Sequence, residues 1–270
     1  MRIPTPLKYP GSKTWLVRKM LLSVPTDISE FVSPFFGSGI IELNIAQRGV
    51  RVHGYDLCPH LTNFWQQWFK DAEQVADTAK QLLLTASEEE LRHIKWNFTN
   101  TGLKGASEYY AVNRISYTGF TLNHSHVKAY KTVRSKLIYA ERKNTLVFPH
   151  TAKRDLKKYQ RLPITVNKAD FSESINKHPD ALIYCDPPYF GKEKTLYNLD
   201  NFNHERLRND LDDKPYWITS YQDVLEVRDL YKGFKIITLK MKSHFYKDGK
   251  HQKRQEILIF SKDLAEKLQL

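Results

Sequence analysis

The stretch "YCDPPYF", Tyr184 to Phe190, sets one carboxylate, two prolines and two aromatic rings directly after the apolar run A-L-I-Y. Asp186 falls at the carboxyl end of a strand-like segment, the edge at which open α/β sheets place their ligands. Pro187 and Pro188 stiffen the turn and carry no backbone N–H, which leaves the local carbonyls to accept hydrogen bonds from another group. An exocyclic amine, with two N–H donors, suits such a corner, and the face of Tyr189 can stack on a base drawn out of its helix. A proline-stiffened loop with an incidental acid accounts for the same residues without chemistry.

A second constellation lies upstream in "FVSPFFGSGIIELN", Phe31 to Asn44. Gly37 and Gly39 allow close backbone approach, and the helix start behind them favours a carboxylate or phosphate. The pattern lacks the third glycine of G-x-G-x-x-G and the Gly-Lys-Ser/Thr of a Walker A loop, so a simple strand-to-helix turn is the competing reading. Asp56 ends the next strand-like segment, about twenty positions on, where an acid commonly binds ribose hydroxyls. An ordinary turn or cap is its alternative role. Together these residues point to an adenosine-type ligand beside a reactive amine site.

These residues need a sheet to hold them. Helix-like "TWLVRKMLLSV" precedes strand-like "SEFVSPF", helix-like "SGIIELNIAQRG" stopped by Gly49, and strand-like "VRVHGYD". The grammar resumes with strands in "PITVNKAD", "DALIYCD" and "PYWITSY", helices in "HERLRNDLDD" and "DVLEVRDLY", and a closing antiparallel pair, "FKIITLK" and "QEILIFS". One sheet of about seven strands accounts for both ends. Between them, "DAEQVADTAKQLLL", "SEEELRHIKWNF" and "SEYYAVNRIS" read as helices, followed by ten Lys or Arg from Lys128 to Lys158.

The formal charge of +12 over 270 residues favours a polyanionic partner, with a generally basic, solvated surface as the alternative. Cys58 and Cys185 are the two cysteines, and no run is apolar enough for a bilayer or a signal peptide, so a reduced, cytoplasmic protein is expected. No Cys/His group has zinc spacing; His124 and His126 read as solvated loop residues.

The ordered motifs resemble the DNA adenine methylase family, the Dam-like or D12 class of N6-adenine methyltransferases. "LKYPGSK" is similar to that family's N-terminal cofactor motif, "FVSPFFGSG" to its F-x-P-F-x-G-x-G motif, "GYD" to its ribose-binding acid, "NRISYTGF" to its N-R-x-x-[FY]-x-G element, and "DPPY" to its catalytic tetrad. The resemblance spans Leu7 to Tyr189. It implies a Rossmann-like class I methyltransferase sheet, residues 1–63 and 161–270, with an inserted helical target-recognition subdomain, residues 64–160. It implies S-adenosylmethionine as cofactor. Tyr9 and Lys13 would contact its methionine end, the backbone from Pro34 and Phe35 to Gly39 would wrap it, Asp56 would hold its ribose, and Asp170 with Phe171 its adenine. Asp186, Pro187, Pro188 and Tyr189 would form the catalytic corner, which works by direct transfer and requires no metal.

Double-stranded DNA is the implied partner, and a monomer is expected. Asn113, Arg114 and Tyr117 fall near a helix end expected to face DNA, with a structural or a backbone-contacting role. Lys128, Lys131 and Arg134 lie in "NHSHVKAYKTVRSKL", whose mix of residues can contact phosphates and base edges. After its N-R element the chain has "GFTLNHSH" where the GATC-specific branch has R-Y-N, so GATC is not the expected word. The loop "GKEKTLYNLDNF" is expected to close over a flipped base, and the basic "KMKSHFYKDGKHQKRQE" to touch phosphate or shield a sheet edge. N4-cytosine methylation and a catalytically idle DNA-binding protein of the same fold remain the alternatives.

Overall fold

A computed structural model of the chain describes residues 2–9, 11–99, 101–116, 135, 156–191, 202–240, 246–247, 250–251 and 255–270. Tyr117, Lys128, Lys131, Arg134, and the loops expected to close over a base or touch phosphate fall wholly or largely outside them.

The framework is one seven-stranded sheet. Its strands are β1 (Glu30–Ser33), β2 (Arg51–Asp56), β3 (Ile164–Lys168), β4 (Leu182–Cys185), β5 (Trp217–Gln222), β6 (Lys235–Lys240) and β9 (Gln255–Phe260), in the order β3-β2-β1-β4-β5-β9-β6. A separate short pair, β7 (Tyr246–Lys247) and β8 (Lys250–His251), lies between β6 and β9 in sequence. The first five strands run parallel, and β9 enters antiparallel between β5 and β6. This is the Rossmann-like methyltransferase arrangement expected, with the closing antiparallel pair in place. The chain leaves β1 toward β2 on one side and later returns as β4 on the other, so the crevice at the carboxyl ends of β1 and β4 is the switch point.

Both faces of the sheet are covered at its centre, which explains why β4 is buried along its whole length and β5 and β9 along all but one residue. Along β4, Leu182 and Tyr184 join one core while Ile183 and Cys185 join the other. The first core also takes helices α1 (Val17–Ser23), α2 (Ile40–Ala46), α3 (Pro59–Thr85) and α5 (Gly102–Ile115); the second takes α7 (Phe171–Asn176), α8 (His204–Asp210) and α9 (Leu225–Leu230). Helices α4 (Glu88–Trp96), α6 (Lys157–Gln160) and α10 (Lys262–Lys267) complete the described elements. Among the described residues no helix is long and apolar enough to cross a membrane.

Two differences from the sequence reading have clear causes. The helix read from Asp71 is the second half of α3, which begins at Pro59 and kinks at Asp71 (φ −157°, ψ 89°). Pro59 opens the helix without losing a bond, and Phe64, Trp65 and Trp68 bury a face that has few strand or turn signals of its own. At the kink the Asp71 carboxylate accepts from Gln74 N (3.0 Å), capping the second half much as an N-cap does. Helix α7, unrecognised in the sequence, is only 6 residues long and is started by Asp170, whose side chain accepts from Ser172 N (3.0 Å). The expected helix "SEEELRHIKWNF" forms as α4, closed at its start by the Ser87/Glu90 capping box.

Candidate active site

The glycine turn after β1 is built by steric necessity. Gly37 (φ +47°) and Gly39 (φ +63°) occupy backbone regions that side chains rarely adopt, and a Cβ on Gly39 would lie 2.7 Å from Phe36 and 3.0 Å from Trp65. Trp65 of α3 donates Nε1–H to Gly37 O (3.0 Å), and the Tyr9 ring lies against Gly37. Phe36 N bonds Tyr55 O (2.8 Å), and the Phe36 ring fills the space over Gly54 that a side chain would need. The first ring of the Phe35–Phe36 pair has another job. Phe35 packs on Phe171 (5.8 Å) and Phe202 (5.7 Å).

Asp56, at the end of β2, is half-buried and accepts from Gly37 N (3.1 Å) and Cys58 N (3.0 Å). Burial pushes its carboxyl upward against the pull of those amide donors. The carboxylate therefore ties the glycine turn to the end of β2. Asp170, besides capping α7, pairs with Arg206 Nη2 (2.5 Å), whose guanidinium lies over the Phe171 ring at 4.7 Å. A turn without side chains at Gly37 and Gly39, an acid beside it and an aromatic wall nearby form a donor set that fits an adenosine-bearing cofactor.

Next to this, at the carboxyl end of β4, stands the "DPPY" corner. Pro187 and Pro188 are buried, whereas Asp186 and Tyr189 are half-buried. Asp186 Oδ1 accepts from Ser220 Oγ (2.9 Å), on β5, and lies 3.1 Å from Lys13 Nζ. Lys13, 3% exposed, also donates to the Tyr189 hydroxyl (2.7 Å) and lies 3.1 Å from Glu256 Oε2; that hydroxyl in turn donates to Glu256 Oε1 (2.5 Å). Burial opposes the ammonium, but Asp186, Tyr189 and Glu256 together hold its pKa well above the ordinary value. Burial likewise raises Asp186; Lys13 pulls it down and Glu256 pushes it up. The Lys13 expected at the methionine end of a cofactor thus has its ammonium at the "DPPY" corner, among Asp186, Tyr189 and Glu256.

Two acids escaped the sequence reading. Glu256 sits in the apolar strand "QEILIF", and Glu42 in the apolar helix "IIELNIA", where it accepts from Ser33 Oγ (2.7 Å). Burial raises the Glu42 carboxyl to about 8, with a smaller push from Asp186. A charged residue inside an apolar run was the available signal. Nothing local tells such an acid apart from a surface position on a partly exposed strand or helix.

Asn113 and Arg114 do lie at the end of α5, but their side chains are buried. Asn113 Oδ1 accepts from Lys8 N (3.0 Å) and its Nδ2 donates to Lys8 O (2.8 Å), while Lys8 Nζ reaches Arg114 O (2.6 Å). Of the two roles the sequence left open, these contacts are structural: they clamp "LKYPGSK" onto "NRIS" across 105 residues. At the opposite, amino edge of the sheet, Glu30, His53 and His178 bring ligand-type atoms within 4.8 Å. The two imidazoles stack at 4.1 Å and 24°, so their in-plane lone pairs run side by side, and the Tyr55 hydroxyl already meets His178 Nε2 (2.8 Å).

Comparison with known proteins is uneven. No curated protein matches the chain. A crystal structure titled precorrin 8w decarboxylase, from Methanobacterium thermoautotrophicum, is similar over 96% of both chains at 14% identity, with a TM-score of 0.38, too low to carry an argument. The family model for D12 class N6 adenine-specific DNA methyltransferases matches residues 9–245. With most of its length so matched, the chain belongs to that family of S-adenosylmethionine-dependent enzymes, whose substrate is DNA.

Proposed function

We propose that the chain methylates the exocyclic amine of an adenine flipped out of double-stranded DNA at a specific sequence. What supports this reading most is the position of Asp186, at the carboxyl end of β4 and across the switch point from the glycine turn. In it, residues 1–63 and 161–270 hold cofactor and chemistry, and residues 64–160 recognise the target, apart from Trp65 of α3, which braces the glycine turn. Tyr9, the backbone from Pro34 to Gly39 and Asp56 hold the cofactor, with Asp170 and Phe171 at its adenine. Tyr117, Lys128, Lys131 and Arg134 contribute to the DNA surface.

S-adenosylmethionine, when bound, supplies a methyl group whose C–S bond breaks with its electron pair left on sulfur. The chain's own residues prepare the acceptor. Adenine's amino nitrogen is a poor nucleophile because its lone pair is delocalised into the ring. Asp186 and the Pro187 carbonyl accept its two hydrogens, which turns the lone pair out of the ring plane toward the methyl carbon. The new N–C bond leaves a positive charge on nitrogen, and one hydrogen departs as a proton toward Asp186. Tyr189 stacks on the base and holds it in the corner.

Transfer of labelled methyl groups to unmethylated plasmid DNA, followed by digestion and mass spectrometry of the nucleosides, tests the reading. N6-methyladenine is the expected product. N4-methylcytosine alone, or no transfer with DNA binding intact, would overturn it. Asp186→Ala should lower kcat by at least about a hundredfold while cofactor binding persists.

A further inference from the structure

Glu256 lies beyond residues 9–245, the part of the chain matched to the family, and it belongs to no motif in the sequence. It is the second residue of β9, opposite Gln222 of β5. Because β9 runs antiparallel, its beginning falls at the edge where the parallel strands end. There the residue is 5% exposed, one carboxylate oxygen taking the Tyr189 hydroxyl hydrogen and the other facing Lys13 Nζ at 3.1 Å.

A second carboxylate beside Asp186 is a poor stability device, since burying ions costs solvation that their pairing rarely repays in full. Its effect is on arrangement: one ammonium is shared between two acids, and the ring of the tetrad is anchored from behind. We infer that Glu256 is a positioning residue of the methyl-transfer site, holding Lys13 between itself and Asp186 and fixing the Tyr189 ring. The inference rests on the methyltransferase reading above.

The chemistry explains the need. After the N–C bond forms, the target nitrogen must release a proton, and Asp186 is the nearest acceptor in the proposed geometry. Were Lys13 paired with Asp186 alone, that carboxylate would be a weaker acceptor. The groups around Asp186 are Lys13 from the N-terminal segment, Tyr184, Cys185 and Tyr189 flanking it, Ser220 and Tyr221 on β5, Glu256 on β9 and Glu42 on α2. Of these, Glu256 opposes the influence of Lys13 on Asp186.

The test is Glu256→Gln, which keeps the size and an oxygen for Tyr189 but withdraws the charge, assayed on unmethylated plasmid DNA. We expect kcat to fall on the order of tenfold or more, with KM for S-adenosylmethionine and the melting temperature little changed. The acidic limb of the kcat profile should move to lower pH, and Glu256→Asp should recover part of the rate. A folded Gln variant with unaltered kcat and limb overturns the role. So does a lowered melting temperature with an unmoved limb, which would make Glu256 a packing residue. No transfer by the parent chain overturns the underlying reading instead, and this inference with it.

Discussion

Lys13→Met separates a charge requirement from a packing one. Methionine nearly conserves length and volume, so the hydrophobic loss is small. The ammonium, however, lies 3.1 Å from both Asp186 Oδ1 and Glu256 Oε2 and is 3% exposed, so its removal leaves two acids facing each other without a cation. Removing one partner of a buried pair costs roughly 3–5 kcal/mol. Lys13 keeps its proton in both states at and below pH 8, because its native pKa is raised, so its own titration adds nothing there. Asp186 supplies the pH dependence. Its pKa is already raised by burial, with Lys13 as the main opposing influence, and the variant raises it further. A group that binds its proton more tightly when folded imposes no penalty below its unfolded pKa, and a growing one as pH rises toward the native pKa. Each further pKa unit is worth about 1.4 kcal/mol. Urea denaturation should therefore show the largest deficit at pH 8 and a smaller deficit at pH 5. An equal deficit at both pH values, or one under about 1 kcal/mol at pH 8, refutes the buried-pair account.

Two further outcomes follow from the same edge of the sheet. Gly54→Ala would place a Cβ 2.1 Å from the Phe36 ring, which is held edge-on to Trp65 at 5.2 Å. We expect a loss of about 1–3 kcal/mol by denaturation and a raised KM for S-adenosylmethionine, with KM for DNA little affected; an unchanged cofactor KM would detach Phe36 from the turn's geometry. Glu42, whose carboxyl is raised to about 8, keeps its proton in the fold at pH values where the unfolded chain has lost it. Its contribution to stability therefore declines as pH rises from the ordinary carboxylate range to about 8, and is level above that. Glu42→Gln should remove this decline, so the variant gains on the parent with rising pH; a parallel pair of stability curves would contradict it.

What the sequence determined by itself is what local physics encodes. Strand and helix periods, the glycines of "FFGSG", the strand-ending Asp56 and Asp186, and the proline corner each carry their signal within about ten residues. Their order along the chain was enough to imply the sheet, its antiparallel closing pair and the family. Tertiary structure decided which residues share a site. Lys13 and Tyr189 are 176 residues apart, and Tyr189 and Glu256 are 67 apart, yet one hydrogen-bonded group contains all three. No periodicity reports such a meeting, because the pairing depends on β9 entering the sheet in reverse beside β5. Asn113 shows the same limit from the other side. Its motif was readable, but only packing turned its amide inward to clamp Lys8, since a buried amide must find partners for both its ends.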